Sequence, residues 1–288
     1  MKAVVLGAQG QLGRALCEQC PTGIDLVGLG RAEADLAQPG AAAAAIDAHA
    51  PELVINAAAY TAVDQAESEP DLAHRVNAEA VDEIALQCLR QGVRLVHVST
   101  DFVFDGRAGT PYRPGDQTQP LSVYGASKRA GEDAIQAHSG LSSAIVRTAW
   151  VYAAGGSNFV RTMLRLMAER DALKVVADQV GSPTWARGLA QVLWRAGQKP
   201  GFKGIHHYTD AGVASWYDFA LAIQEQGLAL GLLDRSIEVS PIATEDYPTP
   251  AVRPPFSVLD KRSLYTGLDV NPVHWRVQLR AMMQELNA

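Results

Sequence analysis

Hydrophobic and polar positions along this chain repeat in two alternating rhythms. Short apolar runs at 2–6 (KAVVL), 24–29, 53–56 (LVIN), 94–98 (RLVHV) and 143–146 (SAIV) read as buried strands. Between them lie stretches that read as helix at 11–20, 41–45, 64–85 and 123–133. Strand and helix alternate through short glycine-bearing turns, which predicts a parallel sheet covered on both faces. The fold class expected is α/β, a Rossmann-type doubly wound parallel sheet with a smaller α+β substrate-binding lobe. Residues 1–150 are assigned to the dinucleotide-binding domain, with segments near 184–210 contributing to it. Residues 151–288 are assigned mainly to the substrate-binding lobe.

Past Trp150 the rhythm loosens. Helices are predicted at 159–170, 185–196, 215–225 and 275–285, with strands at 173–176 and 204–209. His206 and His207 alternate faces of the latter and read as strand residues, not ligands. Residues 179–183 read as a turn-rich loop. Residues 241–255 are proline-rich, and a loop of that length is usually either functional or disordered.

Composition narrows the class without changing this picture. With 48% hydrophobic and 19% charged residues the chain is globular, and a net charge of −6 argues against nucleic acid or an acidic membrane as partner. No apolar run approaches the ~18 residues of a membrane span, and the N-terminus enters a strand without a signal-peptide pattern. Three cysteines give no disulfide framework. Cys17 and Cys20 form C-x-x-C at the end of a helix, whereas redox pairs sit at a helix start. They read as incidental thiols. A cytoplasmic location is expected.

Chemistry concentrates at the carboxyl ends of the predicted strands, where sites in open α/β sheets lie. Gly7, Gly10 and Gly13 form G-x-x-G-x-x-G between a strand and a helix, the context of a pyrophosphate-binding turn. Small residues 57–59 leave room for a flat ligand. Asn77 is unfavourable inside a helix by propensity, so a structural or a ligand hydrogen bond accounts for it equally. Ser99, Thr100 and Asp101 end one strand, and Arg147 to Trp150 end another. Tyr124 and Lys128 stand one helical turn apart on one face, where an ammonium lowers a phenol's pKa and makes it a better proton donor to a carbonyl. At the end of the second strand, a residue that would select NADH by an acidic side chain is Gly30, followed by Arg31. An arginine there pairs with a 2′-phosphate, so NADPH is the expected preferred cofactor, with NADH also accepted.

Taken together these residues resemble the extended short-chain dehydrogenase/reductase superfamily, and more closely its dTDP-4-dehydrorhamnose reductase family. The resemblance runs nearly end to end. It rests on GAQGQLG (7–13), NAAAYTAVDQAESEP (56–70), STDFVFDG (99–106), PLSVYGASKRAGED (120–133), RTAWVY (147–152), NFVRTMLRL (158–166), DQVGSPT (178–184) and YPTPAVRP (247–254). It implies NAD(P)H-dependent reduction of the C4 keto group of dTDP-4-dehydro-L-rhamnose to dTDP-L-rhamnose, for cell-surface polysaccharide synthesis. Tyr124 would be the general acid, Lys128 its ribose-binding partner, and Thr100 a donor to the substrate carbonyl. Gly10, Gln11 and Leu12 would hold the pyrophosphate, Asp35 and Leu36 the adenine, and Ala59, Tyr60, Thr61 and Val98 the inner cofactor. Asp101, Trp150 and Asn158 would lie on the sugar side. Arg253 reads either as a phosphate ligand of the sugar nucleotide or as a surface arginine. Relatives that dimerise through Mg²⁺ carry glutamates where this chain has Ala15 and Arg187, so no metal is expected, and the chain is expected to be a monomer or weak homodimer. Two other readings compete: a non-catalytic dinucleotide-binding regulatory subunit, and another nucleotide-sugar reductase or epimerase of the superfamily.

Overall fold

A computed structural model describes residues 1–286. In chain order the strands are β1 (Lys2–Leu6), β2 (Asp25–Leu29), β3 (Leu53–Asn56), β4 (Arg94–Thr100), β5 (Ser143–Thr148), β6 (Val151–Tyr152), β7 (Ala172–Val176), β8 (Val180–Gly181), β9 (Thr184–Trp185), β10 (Gly204–His207), β11 (Ala214–Ser215) and β12 (Glu238–Ile242). The α-helices are α1 (Gln11–Glu18), α2 (Ala41–His49), α3 (Val63–Ala66), α4 (Pro70–His74), α5 (Ala80–Gln91), α6 (Val123–Ala137), α7 (Phe159–Glu169), α8 (Ala186–Gln198), α9 (Trp216–Ala229), α10 (Arg262–Leu268) and α11 (Trp275–Glu285).

Six strands form one parallel sheet in the order β10-β5-β4-β3-β1-β2. Successive side chains point to opposite faces. Ala3 and Val5 therefore join a core with α1 and α8, while Val4 and Leu6 join one with α2 and α5. Both faces are covered, which explains the near-continuous apolar runs of β1 and β3. Trp194 of α8 donates its indole N–H to Leu16 O at 2.9 Å, fastening α8 to α1. Successive strands are added on opposite sides of the boundary between β1 and β3, and at this switch in strand order the sheet opens a crevice at its carboxyl edge.

A separate core joins α7, α9 and α11 around Met163, Phe219, Leu279 and Met282. Ser215 starts α9 with a capping box: its hydroxyl accepts Asp218 N–H, and the Asp218 carboxylate accepts Ser215 N–H.

Three differences from the sequence expectation are physical. The helix expected over 64–85 is broken: Pro70 starts a new helix at α4, and residues Arg75–Glu79 form a π-helical turn before α5. β4 and β5 run two residues further than their apolar cores, because Ser99 pairs with Arg147 and Thr100 with Thr148 in the ladder. The proline-rich stretch begins as a strand, β12, which pairs in parallel with β7; Pro241 is tolerated at the edge of this two-stranded sheet. Among the described residues no helix is long and apolar enough to cross a membrane.

Candidate active site

A cavity of about 690 Å³ occupies the crevice at the carboxyl ends of β1, β3, β4 and β5. One end is built from backbone. Gly7 has φ of +78°, and a Cβ there would lie 2.7 Å from Ala58 N, so only glycine lets the two strand ends approach. Gly10 caps α1 without any side-chain hydrogen bond, which leaves the first amides of the helix aimed at the cavity. Gly10, Gln11 and Leu12 line it. Gly13 does not. Its Cβ would lie 2.0 Å from Gly7 O, so glycine is required there to seat α1 against the turn.

Further along, Gly30, Arg31, Asp35 and Leu36 line the same end. The Gln9 side chain fills the space beside Gly30, where a Cβ would come within 2.4 Å of it. Arg31 is largely exposed, and its Nε lies 3.3 Å from Asp35 Oδ1. Glu33 does not neutralise it; the Glu33 carboxylate accepts Gly30 N–H at 2.9 Å. Ala59, Tyr60 and Thr61 form the adjoining wall with Val98. That wall is pinned by Asn77 in the π-helical turn, which accepts Tyr60 N–H at 2.9 Å and donates to Tyr60 O and Ser127 Oγ. The hydrogen bonds of Asn77 are thus structural, and they place a ligand-facing loop.

The other end is built from side chains. Tyr124 and Lys128 emerge from α6, which Ser122 caps by accepting Gly125 N–H. A Cβ on Gly125 would lie 2.2 Å from Phe102 O, so α6 sits hard against the end of β4. The Tyr124 ring meets Phe102 edge to face, with centroids 5.5 Å apart. Thr100 lies within hydrogen-bonding reach of the phenol, and its hydroxyl donates to Asp101 Oδ1 at 3.0 Å. Burial pushes the Tyr124 phenol up to about 12, the Thr100 hydrogen bond opposing and Asp101 adding to the rise. The net displacement is therefore upward, opposite to the lowering expected from Lys128. Lys128 Nζ donates instead to Val98 O at 2.7 Å and lies 3.3 Å from His97 Nε2. Lys128 is itself pushed down to about 8 by burial, against the pull of Glu132.

Asp101 is buried, and burial raises its carboxyl to about 6 despite hydrogen bonds from Ser257 and Thr100. Its Oδ2 has no partner, nor have Ser99 Oγ and Thr148 Oγ1, and all three residues line the cavity. Unpaired buried polar atoms gathered on one wall suit a polar ligand. Trp150 covers this end. It holds φ of +49°, a conformation that costs a bulky residue roughly 1–3 kcal/mol. Stacking on Trp216, with centroids 3.6 Å apart, keeps it there.

Asn158, expected on the sugar side, and Arg253, read as a phosphate ligand or a surface arginine, do not line the cavity. Asn158 caps α7 by accepting Arg161 N–H, and its amide donates to Gln11 Oε1 and Ala153 O. Arg253 is held by Asp64 through two hydrogen bonds, 3.0 and 2.8 Å. Both polar groups have partners within the protein. At the positions of the metal-bridging glutamates, Ala15 is buried and Arg187 pairs with Glu285. Cys17 and Cys20 are free thiols that burial pushes up.

Sequence reasoning missed Gln9, Trp216 and His97. Gln9 lies between two glycines of the motif and was readable; His97 looked like an ordinary strand residue.

The chain matches the family described as RmlD substrate binding domain over residues 1–288. It is 42% identical over 296 residues to a dTDP-4-dehydrorhamnose reductase of Burkholderia thailandensis, covering 99% of each chain. It superposes with a TM-score of 0.92 on a dTDP-4-dehydrorhamnose reductase of Clostridium acetobutylicum, at 36% identity and full coverage of both chains. The TM-score is again 0.92 against the enzyme of the same name from Bacillus anthracis in complex with NADP, at 33% identity and 99% coverage of both. The fold, the site and these likenesses agree: the chain belongs to the RmlD family, the dTDP-4-dehydrorhamnose reductases of the extended short-chain dehydrogenase/reductase superfamily.

Proposed function

We propose that the chain reduces the C4 keto group of dTDP-4-dehydro-L-rhamnose to dTDP-L-rhamnose, with NADPH as preferred cofactor, NADH as second cofactor, and Tyr124 as proton donor. The observation that carries this is the junction in one cavity of an open helix N-terminus with a buried phenol beside a hydroxyl.

The residues present fit a dinucleotide. The Gly7 turn admits close backbone approach, and Gly10, Gln11 and Leu12 offer amides to a pyrophosphate. Arg31 and Asp35 flank the adenosine end, and Lys128 and Tyr124 the nicotinamide end. When bound, the cofactor supplies the hydride. The chain supplies the rest. Tyr124 directs its hydroxyl toward developing charge on a carbonyl oxygen and gives that oxygen its proton, and Thr100 supplies a second donor once its hydroxyl turns from Asp101 Oδ1. The high phenol pKa keeps the proton in place until charge appears. Asp101, Ser99 and Thr148 meet sugar hydroxyls, and Trp150 excludes water from that end. Residues 1–150 with 184–210 hold the cofactor in this reading, and the remainder holds the sugar nucleotide.

The test is to mix the protein with NADPH and dTDP-4-dehydro-L-rhamnose and follow loss of NADPH absorbance. Stoichiometric oxidation with formation of dTDP-L-rhamnose is expected. Cofactor binding without turnover would instead identify a non-catalytic binding protein. Turnover restricted to another keto sugar would reassign the substrate.

A further inference from the structure

Trp150 is a bulky residue held at φ of +49°, a region that such a side chain leaves unless its surroundings over-determine it. Its backbone is fixed first. Trp150 O accepts Thr184 N–H at 3.1 Å, and the next residue, Val151, pairs with Thr184 in the β6–β9 ladder. The turn from β5 to β6 thus delivers Trp150 to the cavity lining beside Thr148 and Ala149.

The side chain still has its own freedom, and two contacts from the smaller lobe remove it. The Trp216 ring stacks on Trp150 with centroids 3.6 Å apart and 9° between the planes. That spacing is one van der Waals contact, so the two indoles overlap nearly face on face. Trp216 is backed in turn by Phe159 at 4.7 Å and Phe219 at 6.4 Å. The second contact is made by a missing side chain. A Cβ on Gly181 would lie 2.7 Å from Trp150 Cε2, 2.9 Å from Trp150 Cζ2 and 2.8 Å from Ser257 Oγ. Gly181 has no positive φ, so its backbone does not ask for glycine; the neighbouring side chains do.

Both contacts come from one piece of structure. β8 and β11 pair antiparallel, Gly181 opposite Ala214 and Val180 opposite Ser215. Ser215 also caps α9, and Trp216 is the first residue of that helix. The capping box through Asp218 therefore fixes where Trp216 stands relative to Gly181. Neither Gly181 nor Trp216 lines the cavity.

We propose that Gly181 and Trp216 are positioning residues for sugar recognition: the β8–β11 ribbon grips the Trp150 indole through both and sets how it stands in the cavity wall. This rests on the reductase reading above, which puts the sugar at that end. The smaller lobe then acts on the sugar through one aromatic ring, and the end built from backbone turns is left untouched.

The test uses the full chain with NADPH and dTDP-L-rhamnose, two molecules that cannot react with each other. Stacked indoles couple their transitions and give an exciton couplet in far-ultraviolet circular dichroism. The wild-type spectrum should show it, Trp216→Phe should abolish it, and Gly181→Ala should weaken it, because the added methyl displaces the ring. By calorimetry, dTDP-L-rhamnose should bind Trp216→Leu and Gly181→Ala about tenfold more weakly than wild type, the order of one lost aromatic contact. Trp216→Phe restores a stacking ring and should stay within about threefold. NADPH affinity should stay within about twofold in all three, as for a distant, independent site.

Equal losses for both ligands, or Trp216→Phe as weak as Trp216→Leu, would reduce the role to general stability and overturn the proposal. An unchanged couplet in Gly181→Ala would overturn it too, since weaker sugar binding there would come from a displaced Ser257. If Trp216→Leu does not fold, Gly181→Ala, which removes no group, decides. A wild type with the couplet but no affinity for dTDP-L-rhamnose would count against the reductase reading, and the response of the couplet to Gly181→Ala would still decide the grip.

Discussion

The two ends of the cavity are made from different materials. The end proposed to take adenosine and pyrophosphate uses backbone amides and the absence of side chains, at Gly7, Gly10 and Ala57 to Ala59. Its pieces are strand-to-helix turns, each read from a few consecutive residues. The end proposed to take the sugar uses side chains, Thr100, Asp101, Tyr124 and Trp150, backed by Trp216 and Ser257 from distant segments. Backbone sites tolerate side-chain change and fail on added bulk. Side-chain sites fail one residue at a time, which suits the end where one substrate must be chosen.

The largest expected effect tests that division at the junction. Tyr124→Phe should lower kcat by roughly 10²–10⁴-fold, the usual worth of a positioned acid, while NADPH affinity measured by fluorescence stays within twofold of wild type. Turnover near the wild-type rate would remove Tyr124 as the proton donor. Lost cofactor affinity would show that the phenol belongs to the cofactor end as well.

Asp101→Asn separates charge from shape at the sugar end. The wild-type carboxyl rises from 3.8 to about 6 on folding, so its contribution to stability is fully present below pH ~4 and lost as pH rises through 6. Asparagine cannot ionise, so the variant should lack that decline and be more stable than wild type at pH 7.5, by on the order of 2 kcal/mol. Turnover should fall. Urea unfolding at pH 5 and 7.5 measures this; a constant difference between the two proteins would mean that Asp101 is not a buried charge.

A smaller effect is expected where a side chain intrudes on the backbone end. Arg31→Ala should reduce the NADPH to NADH ratio of kcat/KM by about tenfold, the value of one exposed charge-assisted bond near ~1.4 kcal/mol. The pairing with Asp35 sets this at the modest end. An unchanged ratio would show that the arginine does not read the 2′-phosphate.

Arg253→Ala should do least. Its ion pair with the half-exposed Asp64 is worth at most ~1 kcal/mol. Loss of Asp64 alone should raise the sugar-nucleotide KM as much as loss of Arg253, because both only hold the 247–254 loop. A KM rise of tenfold or more in Arg253→Ala, without one in Asp64→Ala, would place the guanidinium on a phosphate.

Local pattern determined much of this protein. The alternation of buried strands and helices, the glycine turn, and the one-turn spacing of Tyr124 and Lys128 are readable because each is a property of consecutive residues. Tertiary structure alone decided what non-adjacent groups do to one another. The sequence leaves Arg253 open between a ligand and a surface arginine; its pairing with Asp64, 189 residues away, is visible only in the fold. Gly13 belongs to the glycine turn in the sequence, and only the fold shows that a Cβ there would meet Gly7 O at 2.0 Å. The expected effect of Lys128 on Tyr124 follows from helical spacing, but burial outweighs it and sends both groups toward their neutral forms. Burial and orientation depend on the whole surrounding shell, and a line of residues does not carry that shell.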